Sequence, residues 1–376
     1  MAIDRRRFWQ PARCPVCKTP IDPWRRRRFW WWLTGRGPKS RVRLGPFGEF
    51  NPIEGSLFLW LLVCIGVASV MWGLGDSWWV GTALLFAGRW PWMVPVVPLG
   101  LAALLVRRRT GIGLALANVL VVLFPIMGFS LGLGRFATRG PALGSLRIIS
   151  YNMAGRAVSP IALSEMIHAW SPDVVAIQEC GPNAAEAARL NPSYRIHESS
   201  ICLISRLPID SVYLQPRRDI EEIGGSGQVV RYRIRAPFGS FDLTNVHLET
   251  PREGLAALAY RDLDAGALID KEIFLRDVES NRARRWVDSG GGPRLVAGDF
   301  NTPVESVIFR NHWGDLTEVF ERVGFGLGHT KQTTLLGIRI DHILVDQRWV
   351  VRKAQVLPDY GSDHLPLMAD LDLVAR

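Results

Sequence analysis

The feature that most constrains this chain is an uncharged apolar segment, Ser56–Leu74, which as a helix is long enough to cross a bilayer core of about 30 Å. Two more apolar segments follow it, Pro91–Val106 and Gly111–Gly132, and Trp78–Gly88 extends the first of these on its N-terminal side. Three such segments in succession favour membrane helices over buried core helices. We predict a transmembrane region over residues 51–132 with about three helices, in which Trp78–Gly88 is alternatively a re-entrant or interfacial piece.

The charges are divided unevenly along the chain. Residues 1–144 carry 19 basic and five acidic side chains, whereas the rest of the chain carries 26 basic and 30 acidic ones. The high isoelectric point therefore comes from the N-terminal part, where basic residues flank apolar segments and indicate membrane topology rather than nucleic-acid binding. The weakly acidic C-terminal part lacks the basic charge typical of DNA-binding proteins, although a bound metal ion would change its local field.

The basic residues also predict the side of the membrane that each segment faces. Arg25–Arg28 precede the first apolar segment and Arg107–Arg109 precede the third, while the loop after the first contains Asp76 and one basic residue, Arg89. By the positive-inside rule, residues 1–50 form a basic cytoplasmic arm of a multi-pass cell-membrane protein. The C-terminal part then lies outside the cytoplasm; it is cytoplasmic instead if the middle segment does not cross.

The five cysteines do not have the pattern of a disulfide-rich domain. Cys14 and Cys17 have the spacing of half a zinc knuckle, but no second pair accompanies them, so we expect two exposed thiols in the basic arm. Cys64 lies in an apolar segment and is expected to be a small buried residue. Cys180 and Cys202 are able to pair if the C-terminal part is exported.

The pattern changes after a linker rich in Gly and Pro at residues 133–144. Short apolar or β-branched runs of strand length then recur. The predicted strands are Leu146–Tyr151, Val174–Gln178, Ile201–Ser205, Val229–Ile234, Ser240–Val246, Arg294–Ala297, Ile340–Val345 and Leu367–Leu373. Helical patterns lie at Ser159–Trp170 and Leu255–Ser289. Because several strands follow one another without a helix, we predict an α/β domain over residues 145–376 with two packed mixed β-sheets flanked by helices.

Polar residues of the kinds that enzymes use stand at the ends of these strands. In chain order they are Asn152, Glu179, His247, Asp299, Asn301, Asp341, His342, Ser362, Asp363 and His364. A single Asp or Asn after a strand is usually a turn residue, and a single His is usually structural. The complete set is harder to explain in that way, because turns need not contain several histidines and carboxylates. Strand ends hold side chains rigidly, so we expect a subset of these residues to meet in one cleft, namely Asn152, Glu179, His247, Asp299, Asn301, Asp341 and His364.

Their chemistry suits a metal-assisted attack of water on phosphorus. Glu179 and Asn152 offer the oxygen ligands that Mg²⁺ (or Mn²⁺) prefers, and Mg²⁺ keeps waters and substrate phosphate in its coordination shell. A histidine whose second ring nitrogen contacts a carboxylate is oriented and made more basic, and Asp341 and His364 are suited to form such a pair. With a metal or an acid at the leaving oxygen, no covalent nucleophile is needed.

The most specific motifs are Gly-Asp-Phe-Asn at 298–301, Ser-Asp-His at 362–364 and Arg-Ile-Asp-His-Ile at 339–343, accompanied by Ile-Ser-Arg-Leu-Pro-Ile at 204–209. Together they closely resemble the endonuclease/exonuclease/phosphatase superfamily, whose DNase I-like fold is shared by exonuclease III, neutral sphingomyelinases and inositol polyphosphate 5-phosphatases. The resemblance covers about residues 145–374. It implies a four-layer α/β sandwich and a metal-dependent hydrolase of phosphate esters, here of a bacterial membrane-anchored type.

The resemblance also implies which residues hold the metal. Asn152 and Glu179 match the family's metal-site residues. Asp363 matches an aspartate that lies next to the metal or supports the catalytic histidine. The expected cofactor is therefore Mg²⁺ or Mn²⁺, held by these three side chains.

The catalytic roles follow from the same resemblance. His247 matches the histidine that contacts phosphate and protonates the leaving group, and Asp299 and Asn301 match the pair that positions water or phosphate. His364 matches the catalytic base, with Asp341 as its orienting partner. The role of base is divided differently between Asp299 and His364 across the family, so both assignments stay open.

Nucleic acid and lipid headgroups are the two favoured substrate classes, with a slight preference for the first. The sequence does not identify the natural substrate among DNA, RNA, phospholipids and inositol phosphates, and it does not reveal the oligomeric state. A non-catalytic membrane receptor is the alternative, but a binding role does not require both His247 and His364. His329 either lines the site or is an exposed loop histidine. Three arginines in the long helical stretch are expected to form a solvated basic face rather than to contact phosphate: Arg276, Arg282 and Arg285.

Overall fold

The fold is taken from a computed structural model, which describes residues 42–43, 49–137, 140–199, 201–332 and 337–375, with the backbone alone for residues 42–50. Most of the predicted cytoplasmic arm, including Cys14 and Cys17, lies outside the described residues. The chain divides into two compact units, Met1–Gly66 with Trp90–Val122 and Val67–Arg89 with Leu123–Arg376. A short antiparallel pair, β1 (Val42–Arg43) and β2 (Glu49–Phe50), precedes the first helix.

The predicted apolar segments form helices. They are α1 (Pro52–Gly73), α2 (Trp79–Phe86), α3 (Val96–Leu105) and α4 (Arg109–Val121), and α4 continues as a π-helical turn to Ile126. Two helices are long and apolar enough to cross a membrane, Pro52–Gly73 and Arg109–Ile126. The middle segment is bent by 76° between Trp79–Phe86 and Trp90–Leu105, so it counts as a third span only if the bent pair crosses as one.

Polar contacts join the helices of the first unit. The side chain of Asn118 is fully buried and donates to the carbonyl oxygen of Leu57 at 3.0 Å. The indole nitrogen of Trp60 donates to the carbonyl oxygen of Trp92 at 3.1 Å. Between apolar helices, such bonds satisfy polar groups that would otherwise have no partner.

The second unit contains the α/β domain. Its strands are β3 (Ala142–Gly155), β4 (Val174–Cys180), β5 (Arg195–His197), β6 (Cys202–Ser205), β7 (Ile209–Leu214), β8 (Gln228–Ala236), β9 (Gly239–His247), β10 (Arg294–Asp299), β11 (Thr317–Glu318), β12 (Lys331–Gln332), β13 (Gly337–Ile338), β14 (Asp341–Val345), β15 (Trp349–Val356) and β16 (Leu367–Val374). Its helices are α5 (Pro160–Trp170), α6 (Pro182–Leu190), α7 (Arg218–Glu222), α8 (Arg252–Ala259), α9 (Ala265–Asp288), α10 (Val307–Trp313) and α11 (Val319–Val323).

Two six-stranded sheets share one pattern of strand directions. Their orders are β15-β16-β3-β4-β6-β5 and β11-β14-β10-β9-β8-β7. In each sheet the two central strands are parallel, β3 with β4 and β9 with β10, and all other neighbours are antiparallel. The carboxyl ends of each parallel pair therefore reach one edge of the sheet together.

The packing makes four layers, which confirms the predicted fold class. Side chains such as Ile148 and Ala297 fill the space between the two sheets, where the main core lies. On the outer face of the first sheet, Ile149 belongs to a core shared with α5 and α6. On the outer face of the second sheet, Val296 belongs to a core shared with α9 and α10. The central strands are buried on both faces, which explains their nearly continuous apolar sequences.

The predicted strands all form, but one predicted helix is interrupted. Leu255–Ser289 contains two helices, α8 and α9, separated where Arg261 has a left-handed backbone with φ of 58° and Asp262 caps the turn through the amide of Asp264. Apolar spacing continues across this break, so periodicity alone did not reveal it. The prediction of α5 is confirmed, since the Ser159 hydroxyl accepts from the Ala162 amide at 3.1 Å.

Candidate active site

Four of the predicted site residues come from the two central parallel strand pairs. Asn152 and Glu179 lie in the last residues of β3 and β4, and His247 and Asp299 are the last residues of β9 and β10. The amide of Asn152 bridges the two sheets, because its Nδ2 donates to Glu179 Oε1 at 3.1 Å and to Asp299 Oδ2 at 3.0 Å. The architecture of the sheets is therefore what brings these side chains together.

Asp299 is the central carboxylate of the cluster. Its Oδ1 accepts from the Asn301 amide at 2.9 Å, which leaves Oδ2 to face Asn152, His247 and His364. Asp299 is almost fully buried, and burial, followed by the charge of Asp341, raises its pKa. Asn301 adopts a left-handed backbone with φ of 49°, and its Nδ2 donates to the carbonyl oxygen of Leu248 at 2.8 Å.

Gly298 is required by the close approach of β9 to β10. Its φ is 151°, and a Cβ at this position would lie 1.9 Å from the carbonyl oxygen of Val246. Glu179 has a left-handed backbone with φ of 47°, which is uncommon for a residue other than Gly or Asn. Such strain is found at functional sites, and here it accompanies a carboxylate that is about a third exposed (35%).

His364 and Asp341 form a buried imidazole–carboxylate pair. His364 Nδ1 lies 2.9 Å from Asp341 Oδ2, and His364 Nε2 lies 3.7 Å from Asp299 Oδ2. Burial by itself lowers the pKa of His364, but the charges of Asp341 and Asp299 and the hydrogen bond to Asp341 outweigh it and raise the pKa to about 9. The predicted orienting contact between Asp341 and His364 is therefore present in the structure.

Two of the predicted residues, His247 and Asp363, lie at the rim. His247 Nε2 is 3.9 Å from both Glu179 Oε1 and Asp299 Oδ2, and the ring is partly exposed. Asp363 is half exposed and forms an ion pair with Lys331, while its Oδ1 lies 4.0 Å from His364 Nε2. Burial alone would raise the pKa of Asp363, but the Lys331 ammonium lowers it. All eight predicted residues thus belong to one connected cluster.

Sequence comparison agrees with this arrangement. Residues 149–364 match the model of a family described as the Endonuclease/Exonuclease/phosphatase family. The chain belongs to this family. No match to a curated protein was found.

Solved structures of the family have a similar fold at low sequence identity. A humanized TDP2 of D. rerio is 17% identical with a TM-score of 0.47, and the match covers 61% of this chain and 99% of the TDP2 chain. An endonuclease/exonuclease/phosphatase of Beutenbergia cavernae is 18% identical with a TM-score of 0.45, covering 61% of this chain and 72% of its own. A mannosyl-6-phosphatase of Bacteroides thetaiotaomicron is 14% identical with a TM-score of 0.44, covering 60% and 99% respectively.

Members of the endonuclease/exonuclease/phosphatase family are phosphoester hydrolases that generally use divalent metals, and the side chains present here suit such an ion. Asp299, Asp341 and His364 offer ligand atoms that all lie within 4.8 Å of one another, close enough for one metal. Two carboxylates, Glu179 and Asp299, accept from the amide of Asn152, and the charge of a third, Asp341, acts on Asp299; hard divalent cations prefer such oxygen donors.

The fold also contains supporting residues that the sequence motifs did not identify as such. The Thr330 hydroxyl accepts from the Asp341 amide at 3.1 Å and stabilises the carboxylate of Asp341. The Ser362 hydroxyl donates to the carbonyl oxygen of Asn152 at 2.8 Å and accepts from the His364 amide at 3.1 Å. Ser362 lies within a recognised motif and was open to prediction, whereas Thr330 had no local signal.

Other polar residues singled out in the sequence have different positions. His342 points away from the cluster; it is fully buried, packs against Phe300 and Phe309, and its Nε2 donates to the Thr302 carbonyl oxygen at 3.0 Å. His329 lines a separate cavity of about 840 Å³. The expectation of a solvated basic face is wrong for Arg276, which is fully buried because its position faces the core side of α9.

Cys180 and Cys202 form a disulfide that joins β4 to β6, with their Cα atoms 5.8 Å apart. Cys180 directly follows Glu179, so the bridge holds the strand end that carries this carboxylate. Cys64 is a buried free thiol, as expected for its apolar segment.

Proposed function

We propose that this chain is a membrane-anchored, divalent-metal-dependent phosphoesterase that hydrolyses phosphodiester or phosphomonoester bonds by attack of water. One observation carries the proposal: the carboxylates of Glu179 and Asp299, the amide of Asn152 and the Asp341–His364 pair come from four strands and the loop before β16, and they meet at one point. Such a cluster holds both a cation and a phosphoryl group, and these two requirements define metal-assisted phosphate-ester hydrolysis.

The residues of the chain divide the work by position. His364 has Nδ1 committed to Asp341, so its Nε2 is the nitrogen that faces the substrate side, where it donates to a phosphoryl oxygen. Because His364 Nε2 serves as a donor, the proton of the attacking water passes to Asp299 Oδ2, which lies 3.7 Å from that nitrogen. Asp299 rather than His364 is therefore the base. His247, at the partly exposed rim, donates a proton to the leaving oxygen.

Asn152 and Glu179, with Asp363, would hold Mg²⁺ or Mn²⁺, which would supply Lewis-acid stabilisation of the charge on the phosphoryl oxygens. The amide of Asn152, which donates to the Glu179 carboxylate, and the disulfide at the next residue hold this carboxylate in place. Asn301 positions the Asp299 carboxylate through its backbone amide.

Contacts within the second unit support a location outside the cytoplasm. Arg89 is paired with Glu305, so the loop after α1 lies on the same side of a membrane as the α/β domain. The chain from residue 90 to residue 126 must then cross an even number of times. If Pro52–Gly73 crosses, the α/β domain then lies on the side of the membrane opposite the predicted cytoplasmic arm. The disulfide also favours an oxidising compartment.

The substrate is either a nucleic acid or a lipid headgroup, and one observation favours a substrate at the membrane. Large apolar side chains are exposed just after the last apolar helix, at Leu133 and Phe136, and Phe325 beside them is 64% exposed. Arg135 lies over the rings of both Phe136 and Phe325 at about 5.5 and 5.4 Å. An apolar surface with a cation is suited to the headgroup region of a bilayer.

The test is hydrolysis of bis-p-nitrophenyl phosphate by the full-length protein in detergent, with Mg²⁺, Mn²⁺ or EDTA. We expect turnover that requires the metal and falls at least about 100-fold in His364→Ala and Asp299→Ala. His168→Ala, an exposed histidine on α5, is the control and should retain activity. Equal turnover in the presence of EDTA would exclude the metal-dependent mechanism. Sphingomyelin, DNA and RNA then distinguish the substrate classes.

A further inference from the structure

The loop that connects the active site to α10 is buried along its whole length. Its seven residues run from Phe300 to Ser306, directly after Asp299, and all of them are buried. On the side of the α/β domain, the amide of Phe300 donates to the Ile340 carbonyl oxygen at 3.0 Å, and the carbonyl oxygen of Thr302 accepts from His342. The polar groups of a buried loop need hydrogen-bond partners. At the C-terminal end of this loop, the partners of Glu305 and Ser306 come from outside the α/β domain.

Glu305, near the end of this loop, is paired with Arg89. Arg89 belongs to the segment Gly75–Arg89, which follows α1 and contains α2. Arg89 Nη1 and Nη2 donate to Glu305 Oε1 at 2.6 Å and to Oε2 at 3.2 Å, and both side chains are buried. Burial alone would raise the pKa of Glu305, but the charge and hydrogen bonds of Arg89 lower it. Gly128 allows the approach, since a Cβ there would lie 2.7 Å from Glu305 Oε1.

Ser306 and the start of α10 contact Asp76, which lies in the same Gly75–Arg89 segment. The carboxylate of Asp76 is almost fully buried; its Oδ1 accepts from the amides of Val307 and Ile308 at 3.0 and 3.2 Å, and Ser306 donates its hydroxyl to Oδ2. Ser306 in turn accepts from the Phe309 amide at 3.1 Å. The two charges of the Gly75–Arg89 segment thus hold the end of the loop that begins at the catalytic Asp299.

The sequence is consistent with a specific role for Arg89. It is the only basic residue between Arg43 and Arg107, in a loop that the positive-inside rule keeps poor in basic residues. The presence of a single arginine there, buried against a carboxylate, is explained by its partner rather than by membrane topology.

We propose that the segment Gly75–Arg89 is a positioning element of the active site, in which Arg89 and Asp76 hold Glu305 and Ser306 and so fix the backbone that carries Asp299 and Asn301. The inference rests on the proposed function of that site. A catalytic group displaced by about 1 Å loses on the order of 100-fold in rate, so a loose loop end lowers kcat more than it changes KM.

The test uses the full-length protein and the charge pair. Arg89→Met leaves the buried Glu305 without its hydrogen-bonded ion-pair partner and is expected to lower kcat about 10- to 100-fold, with KM changed less than about threefold. Arg89→Met with Glu305→Gln removes both charges and should recover kcat to within about fivefold of the wild type, because neither partner is left uncompensated. Arg218→Met is the matched control; its exposed ion pair with Glu222 lies at the surface, and kcat should not change.

Hydrogen–deuterium exchange of the peptide that contains residues 300–308 gives a readout independent of activity. Exchange should be faster in Arg89→Met, return toward the wild type in the double variant, and stay unchanged in Arg218→Met. If Arg89→Met does not accumulate, the charge-free double variant must accumulate and turn over. Wild-type kcat and wild-type exchange in Arg89→Met would overturn the inference, as would a double variant no better than the single one.

If the wild type hydrolyses no phosphate ester, the proposed function fails while the exchange result still decides the positioning role.

Discussion

Replacing Asp341 by Asn removes the charge that faces His364 while it keeps the shape of the side chain. In the metal-free protein, burial lowers the pKa of His364, and the charges of Asp341 and Asp299 overcome this effect and raise it to about 9. Asp341 Oδ2 is in hydrogen-bond contact with His364 Nδ1 at 2.9 Å, whereas Asp299 Oδ2 lies 3.7 Å from Nε2. Asp341 is therefore the larger of the two favourable influences.

The sign of the pH dependence follows from linkage. His364 binds its proton more tightly in the folded chain than in the unfolded one, so the stabilisation is complete below about pH 6.5 and is lost as the pH rises through about 9. The difference between these two pKa values corresponds to about 3 kcal/mol as an upper limit. Because Asp299 supplies part of it, we assign about 2 kcal/mol to Asp341.

The assay is urea unfolding in detergent micelles with EDTA, followed by tryptophan fluorescence between pH 6.5 and 9.5. Over this range the wild type should lose about 2 kcal/mol more free energy of unfolding than Asp341→Asn. Other groups that titrate in the range are common to both proteins and cancel in the difference. Asp370→Asn, which removes the partner of the partly exposed Arg147, should follow the wild-type slope. Parallel slopes for the wild type and Asp341→Asn would refute the reasoning.

Two further changes test the backbone and the disulfide around the site. In a thermal shift assay, Gly298→Ala should lower the melting temperature by several degrees, or the variant should fail to accumulate, because its Cβ would collide with the Val246 carbonyl oxygen. The control is Gly291→Ala, whose Cβ meets open space and which should melt like the wild type. Cys180→Ser should lower the free energy of unfolding by about 3 kcal/mol in urea, because the bridge to Cys202 closes a loop with a sequence separation of 22. In the wild type, Cys180 and Cys202 should react with an alkylating agent only after reduction. Alkylation of these two cysteines without reduction, in protein taken from the membrane, would contradict an oxidising location.

Much of the architecture was predictable because it depends on local patterns. Apolar runs such as Val174–Gln178 are buried on both faces of a central strand, and their composition alone indicates this environment. The break near Arg261 and the short strand β5 were not predicted, since each depends on a turn or an edge contact rather than on periodicity.

The site was predictable as a set of residues but not as a geometry. Asn152, Glu179, His247 and Asp299 stood out because each ends an apolar strand, and the structure brings them together where two parallel strand pairs end. His342 has the same local signal as Asp341 and points the other way, because neighbouring residues of a strand face opposite sides of the sheet.

The sequence by itself determined the apolar helices, the order of the strands along the chain and the residue types available for chemistry, because these follow from hydropathy, spacing and side-chain identity. Only the tertiary structure decided that Asp76 and Arg89, which lie before the α/β domain, contact Ser306 and Glu305 inside it. These pairs are separated by 230 and 216 positions, and no local pattern encodes a contact at that distance. Buried charges find their partners only when the chain is folded, since the free-energy penalty that selects each partner arises from the loss of water.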